Sequence, residues 1–175
     1  MCDLVHLPSI HPNLYLGSKD AAQRSECTAN MRVLCVANGN TCDMCTGDTC
    51  AGTFHTPDAI LSREAFDAFS RPASLALRDS LAMGPTLVHC YAGINRSAST
   101  IVRYAIEEVG MPAEDAIQYV RRMNSQYRQI PALTNPSFTN HLLHLSQPKS
   151  SIVLWVVLFA LLGTVVLLGI LFRHK

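Results

Sequence analysis

The stretch from Pro85 to Ser97, Pro-Thr-Leu-Val-His-Cys-Tyr-Ala-Gly-Ile-Asn-Arg-Ser, restricts the folds open to this chain more than any other segment. Leu87-Val88 is a short apolar run that ends in His89-Cys90, and Arg96-Ser97 open a segment with helical periodicity. The pattern predicts a strand, a tight loop and a helix. A loop of this kind turns successive backbone N–H groups inward and sets a helix N-terminus behind them, which makes a concave anion site suited to phosphate. Cys90 at its base lies near the positive end of the helix dipole, which favours a nucleophilic thiolate. Arg96, on the first turn, can curl over the loop and grip two phosphate oxygens with its planar fork. Gly93 supplies the backbone freedom of the turn. The plainer reading of Cys90, a small hydrophobe on a core strand, leaves Gly93 and Arg96 unexplained.

His89-Cys90-x-x-Gly93-x-x-Arg96-Ser97 resembles the signature of the cysteine-dependent protein phosphatases. Tyr91-Ala92-Gly93 and Ser97-Ala98 point to the dual-specificity branch, in its small atypical form with a C-terminal membrane anchor. Two remote stretches carry the same likeness. Leu14-Tyr-Leu-Gly-Ser18 resembles the opening of these domains, and Arg128, Ile130-Pro131 and Asn135-Pro-Ser-Phe138 resemble the approach to their last helix, with Ser137 where glycine is usual. The likeness runs from about Ser9 to Leu145.

The fold implied is α/β, three layers with a central sheet flanked by helices and the site at the C-terminal end of the Cys90 strand. The resemblance implies that Cys90 attacks phosphorus while Arg96 and the N–H groups of Tyr91, Ala92, Gly93, Ile94, Asn95 and Arg96 hold the oxygens. Ser97 would hydrogen-bond the sulfur. His89 orders the loop through its ring, or is only a satisfied core histidine, and Asn95 braces the loop. No metal or organic cofactor is called for. The substrates implied are proteins phosphorylated on tyrosine, serine or threonine. Three alternatives stay open: a catalytically idle phosphate-binding module, a phosphoinositide phosphatase, and an RNA 5′-triphosphatase. A loop without lysine argues against the second, and a net charge of +1 gives little support to the third or to any nucleic-acid partner.

Such chemistry needs a carboxylic acid opposite the nucleophile to protonate the leaving oxygen. In Phe54-His-Thr-Pro-Asp58, Asp58 follows a strand end and the turn-forming Pro57. Asp48 falls in a cysteine-rich loop and Asp67 inside a helix, so Asp58 is the candidate acid; its plainer reading is a turn or helix-start aspartate.

Other segments read as follows. Leu14 to Leu16 is a short strand followed by a small helix around Asp20 to Ala22, and Met31 to Ala37 is a buried strand closed by Asn38-Gly39-Asn40. Thr41 to Cys50 is polar and cysteine-rich. Cys42-x-x-Cys45 has zinc spacing that Cys35, Cys50 or His55 could complete, but without a second such pair a solvated loop is favoured. One of these thiols could also trap an oxidised Cys90. Ser62 to Met83 is helical, with Pro72 expected to split or kink it. Ile101, Val102, Ala105, Ile106 and Val109 form the apolar face of a central helix ended by Gly110, and the next helix has Pro112 at its first position. Arg121-Arg122 reads as a solvated face, and Leu142, Leu143 and Leu145 close the core.

Ile152 to Phe172 carries no charged residue. As a helix it spans about 31 Å, enough for a bilayer core of about 30 Å. The expected organisation is a catalytic domain over 1–147, a linker over 148–151 and a single-pass tail anchor over 152–172. The N-terminus lacks the marks of a signal peptide, so the seven cysteines are read as reduced. Asn95-Arg96-Ser97 is a glycosylation sequon on the loop itself, which places the domain in the cytosol.

Overall fold

The computed structural model describes residues 2–38 and 47–145. Five strands, β1 (Leu4–His6), β2 (Leu14–Gly17), β3 (Arg32–Cys35), β4 (Cys50–Thr53) and β5 (Thr86–His89), form one sheet in the order β1-β2-β5-β3-β4. β5 is central and parallel to both neighbours, with Gly17 and Cys35 paired to His89; only β1 runs antiparallel. Three parallel strands therefore end together where the Cys90 loop begins, the edge at which open α/β sheets place their sites.

Alternation along the strands builds two apolar layers. Leu14, Leu16, Leu34 and Val88 face the main core, while Tyr15, Val33 and Leu87 face the other side with Leu4, Ala22 and Met31. The main face is covered by α3 (Arg63–Met83), α4 (Arg96–Glu107), α5 (Ala113–Arg128) and α6 (Pro136–Leu145), and the other, among the described residues, by the short α1 (Lys19–Gln23) and α2 (Ser25–Thr28). The α/β sheet with flanking helices is as expected, its second helical layer being thin.

Several local expectations are corrected. α3 is one helix running through Pro72, because Phe66, Phe69, Ala73, Leu77 and Leu81 bury one continuous face while Pro72 stands on the exposed side. α4 stops at Glu107, leaving Val109 outside the helix and 42% exposed. Pro112 is the N-cap of α5 rather than its first residue. Arg121 is not a solvated charge: its guanidinium donates to the carbonyls of Ala132 and Leu133 and to Thr139 Oγ1.

The reading of the cysteines as reduced is also corrected. The edge strand β1 carries Cys2 to within 5.6 Å, Cα to Cα, of Cys27 on α2, and the two are joined. Cys35 and Cys50 are disulfide-bonded as well, so neither has a thiolate to offer zinc. Among the described residues Cys90 is the free cysteine. Cys42-x-x-Cys45, the linker and the expected anchor lie outside the described residues; among those described, no helix is long and apolar enough to cross a membrane.

Candidate active site

β5 delivers Cys90 to the sheet edge, and the loop from Tyr91 to Asn95 wraps over it into α4. Cys90 is buried at the floor, where its Sγ accepts from Gly93 N–H and from Ser97 Oγ, both at 3.2 Å. Gly93 holds φ at +67°, and a Cβ there would lie 2.5 Å from the Gly17 carbonyl oxygen, so strand β2 leaves room for glycine alone.

The loop carbonyls are all turned outward onto partners. Tyr91 O accepts from Lys19 N–H, Ile94 O from Leu133 N–H, and Ala92 O and Gly93 O from Arg128. A trans peptide points its N–H opposite to its C=O, so carbonyls held outside put the amides inside. Of the loop side chains, Tyr91 is 65% exposed at the mouth.

Arg96, the first residue of α4, is buried and donates from Nη1 to the carbonyl of Thr56 at 3.2 Å. Its Nε is buried without a hydrogen-bond partner, 4.0 Å from Asp58 Oδ2. A buried guanidinium donor without a hydrogen-bond partner is set to receive an anion. Asp58 meets the loop at Asn95: its carboxylate accepts from Asn95 Nδ2 at 3.1 Å and from Asn135 Nδ2 at 3.3 Å. Asn95 Oδ1 in turn accepts from Thr134 Oγ1 and Asn135 N–H, so Asn95 ties the Asp58 loop, the Cys90 loop and the approach to α6 together. A cleft of about 480 Å³, lined by Thr53 to Pro57, Leu61 and the α3 residues Ala65, Ala68 and Phe69, opens beside the acid loop.

His89 is 2% exposed and donates from Nδ1 to the Cys90 carbonyl at 3.2 Å. Burial pushes its pKa down to about 4, against the smaller opposing effect of that hydrogen bond. The ring is neutral at pH 7 and is bonded to the backbone of Cys90, so it is a core histidine whose polar atom finds its partner at the start of the loop.

Every sequence-chosen residue, Asp58, His89, Cys90, Tyr91, Ala92, Gly93, Ile94, Asn95, Arg96 and Ser97, thus lies in one cluster. Thr56, Asn135, Arg128 and Asp3 were not assigned roles. Thr56 acts through its carbonyl, which leaves no trace in residue type, whereas Arg128 and Asn135 stand inside the family-like stretch before α6.

Residues 14–147 match the model of the dual specificity phosphatase catalytic domain. Protein phosphatase Slingshot homolog 1 of Mus musculus and of Homo sapiens is 51% identical over 39 residues, which is 22% of this chain but only 4% of those proteins' length. The crystal structure of human DUSP28 aligns with a TM-score of 0.61 at 25% identity, covering 82% of this chain and 93% of that one. PTPMT1, solved in complex with PI(5)P, aligns with a TM-score of 0.53 at 20% identity over 77% of this chain and 90% of its own. The match spans β2 to β5, the Asp58 and Cys90 loops and α3 to α6, and so this chain belongs to the dual-specificity phosphatase catalytic-domain family.

Proposed function

We propose that this chain is a membrane-anchored phosphatase that removes phosphate from phosphotyrosine and from phosphoserine or phosphothreonine in proteins, through a phosphocysteine intermediate. The observation that carries the reading is that Gly93 N–H and Ser97 Oγ converge on Cys90 Sγ while Arg96 Nε is buried without a hydrogen-bond partner, 4.0 Å from Asp58 Oδ2. In the first step the Cys90 thiolate attacks phosphorus in line with the ester oxygen. The loop amides and the Arg96 fork hold the equatorial oxygens as charge spreads over them. Asp58 gives its proton to the departing phenol or alcohol. In the second step Asp58, now a carboxylate, takes a proton from water, the oxygen attacks phosphorus, and Cys90 leaves as thiolate with Ser97 Oγ donating to it. The atoms transferred come only from the ester and from water.

The loop side chains Tyr91, Ala92, Ile94 and Asn95 bring no positive charge besides Arg96, which favours a phosphate monoester on a protein over a multiply charged inositol headgroup. The membrane part of the proposal rests on the uncharged run from Ile152 to Phe172, and the cytosolic orientation on the sequon at Asn95.

The test is phosphate release by the full chain in mild detergent from p-nitrophenyl phosphate, a phosphotyrosine peptide, a phosphoserine peptide and a phosphoinositide, beside Cys90→Ser and Asp58→Ala. We expect turnover of both peptides, none with Cys90→Ser, and a loss of about 10²–10⁴-fold with Asp58→Ala. An unaffected Asp58→Ala would move the acid elsewhere. Preference for the phosphoinositide would replace the substrate class. No turnover by a folded chain that still binds a phosphate analogue would make it a binding module.

A further inference from the structure

We propose that Arg128, clamped by Asp3, is a positioning residue that sets the direction of the phosphate-loop amides; this rests on the reading of that loop as the phosphate site. Arg128 closes α5 and is nearly buried, its side chain 5% exposed. Its Nη2 donates to the Ala92 carbonyl at 2.8 Å and its Nη1 to the Gly93 carbonyl at 3.1 Å. Those two carbonyls belong to the peptides whose N–H groups are on Gly93 and Ile94. Because each peptide is planar and trans, fixing its oxygen against Arg128 fixes its N–H toward the opposite side, into the cradle. The Gly93 N–H is the amide that caps Cys90 Sγ. One guanidinium therefore orients, from behind, an amide on the nucleophile and the next amide along the loop.

The fork is itself held from the far side. Asp3 accepts from Arg128 Nε at 2.6 Å and from Nη2 at 2.7 Å, the bidentate geometry in which a carboxylate fixes a guanidinium plane. Asn124 Oδ1 accepts from Nη1 at 3.2 Å, and Asn124 is fully buried, its own amide bound to the Ile130 carbonyl. Asp3 is brought here by the N-terminal segment ahead of β1, next to Cys2, which is joined to Cys27. A lysine at 128 could reach one carbonyl, but it could not span two carbonyls and a carboxylate in one plane. Positive charge behind the two peptides also draws electron density toward their oxygens, which makes the N–H ends better donors to an anion.

The proposal is tested in the full chain by tungstate affinity, phosphate release from p-nitrophenyl phosphate and thermal melting, for Arg128→Ala, Arg128→Lys, Asp3→Asn and the pair Asp3→Asn with Arg128→Ala. Tungstate reads the direction of the loop amides whether or not the chain turns over, so failure of the catalytic reading shows as wild-type binding without release. We expect Arg128→Ala to weaken tungstate binding and kcat/KM by about 10–100-fold, as displaced reacting groups do. Arg128→Lys should recover little of this, and Asp3→Asn should lose less in the same direction. The double variant should be no worse than Arg128→Ala, since Asp3 acts through Arg128. Tungstate affinity of Arg128→Ala within about twofold of wild type, or additive losses in the double variant, would overturn the assignment. If Arg128→Ala does not fold, unchanged tungstate affinity in both Arg128→Lys and Asp3→Asn would overturn it equally.

Discussion

A proton on His89 would have to enter a space that is 2% exposed and already bonded to the Cys90 carbonyl, which is why its pKa falls to about 4. In the unfolded chain the ring titrates near the ordinary histidine value of about 6.5. Between these values the unfolded state binds more protons than the folded one, so stability rises with pH. The contribution is fully present above about pH 6.5 and is lost as pH falls toward 4, by up to about 3 kcal/mol. Urea unfolding at intervals across that range should show this slope for the wild type and a flatter one for His89→Asn; equal slopes would mean that other groups carry the acid sensitivity. The same ring shows what a sequence can convey at this scale. Cys90, Gly93, Arg96 and Ser97 are legible because a single turn of chain fixes their mutual geometry, and the chemistry needs those side chains. The contacts of Thr56 and Arg128 are not, since they run through backbone carbonyls that any residue carries and join positions 40 and 35 residues apart, and Asp3 reaches the loop only through Arg128, 125 residues away.

Pro72 removes one hydrogen bond from the middle of α3 and yet does not end it. Both halves of the helix carry buried side chains, Phe66 and Phe69 before it and Ala73, Leu77 and Leu81 after it, and the Ser62 side chain caps the start by accepting from Ala65 N–H. Burial on that scale outweighs the cost of about 3 kcal/mol that proline carries in an isolated helix interior. Since Pro72 is exposed, Pro72→Ala should recover part of that cost, about 1–2 kcal/mol once the freer unfolded chain is allowed for, read as a higher urea midpoint with unchanged slope. A midpoint that does not rise would mean that α3 is bent around the proline in a way the core requires. Periodicity identified α3 and α4 because each lays a long apolar stripe on the sheet, whereas α5 was legible from Pro112 and its end charges and α6 from the resemblance. It missed β1, which is three residues long and earns its place only by pairing with β2, and it ran α4 to Gly110 because Val109 falls on the helical pattern without reaching the core. Local propensity for Pro72 gave the wrong answer for the reverse reason, that tertiary packing overrides it.

At the scale of the whole molecule, the Cys2–Cys27 bond and the Asn95 sequon point to opposite sides of a membrane. A disulfide persists in oxidising compartments, whereas a glycan on Asn95 would need the amide that now donates to Asp58. The sequon is the stronger argument, because it concerns the site itself: glycosylation would remove the contact that holds the acid loop on the phosphate loop. The disulfide joins Cα atoms 5.6 Å apart, within the ordinary range of a bridge. Closing the intervening 25-residue separation would add about 3 kcal/mol on the chain-entropy account, so oxidation should stabilise the domain. We therefore expect the full chain to carry no glycan at Asn95, to be digested by protease added outside sealed vesicles, and to alkylate at Cys2 and Cys27 once a reductant opens their bond. Brief peroxide treatment should then protect both cysteines and raise the melting temperature of wild type but not of Cys2→Ser. Protease protection together with a closed Cys2–Cys27 bond in untreated cells would reverse the orientation and place the phosphatase in an oxidising lumen.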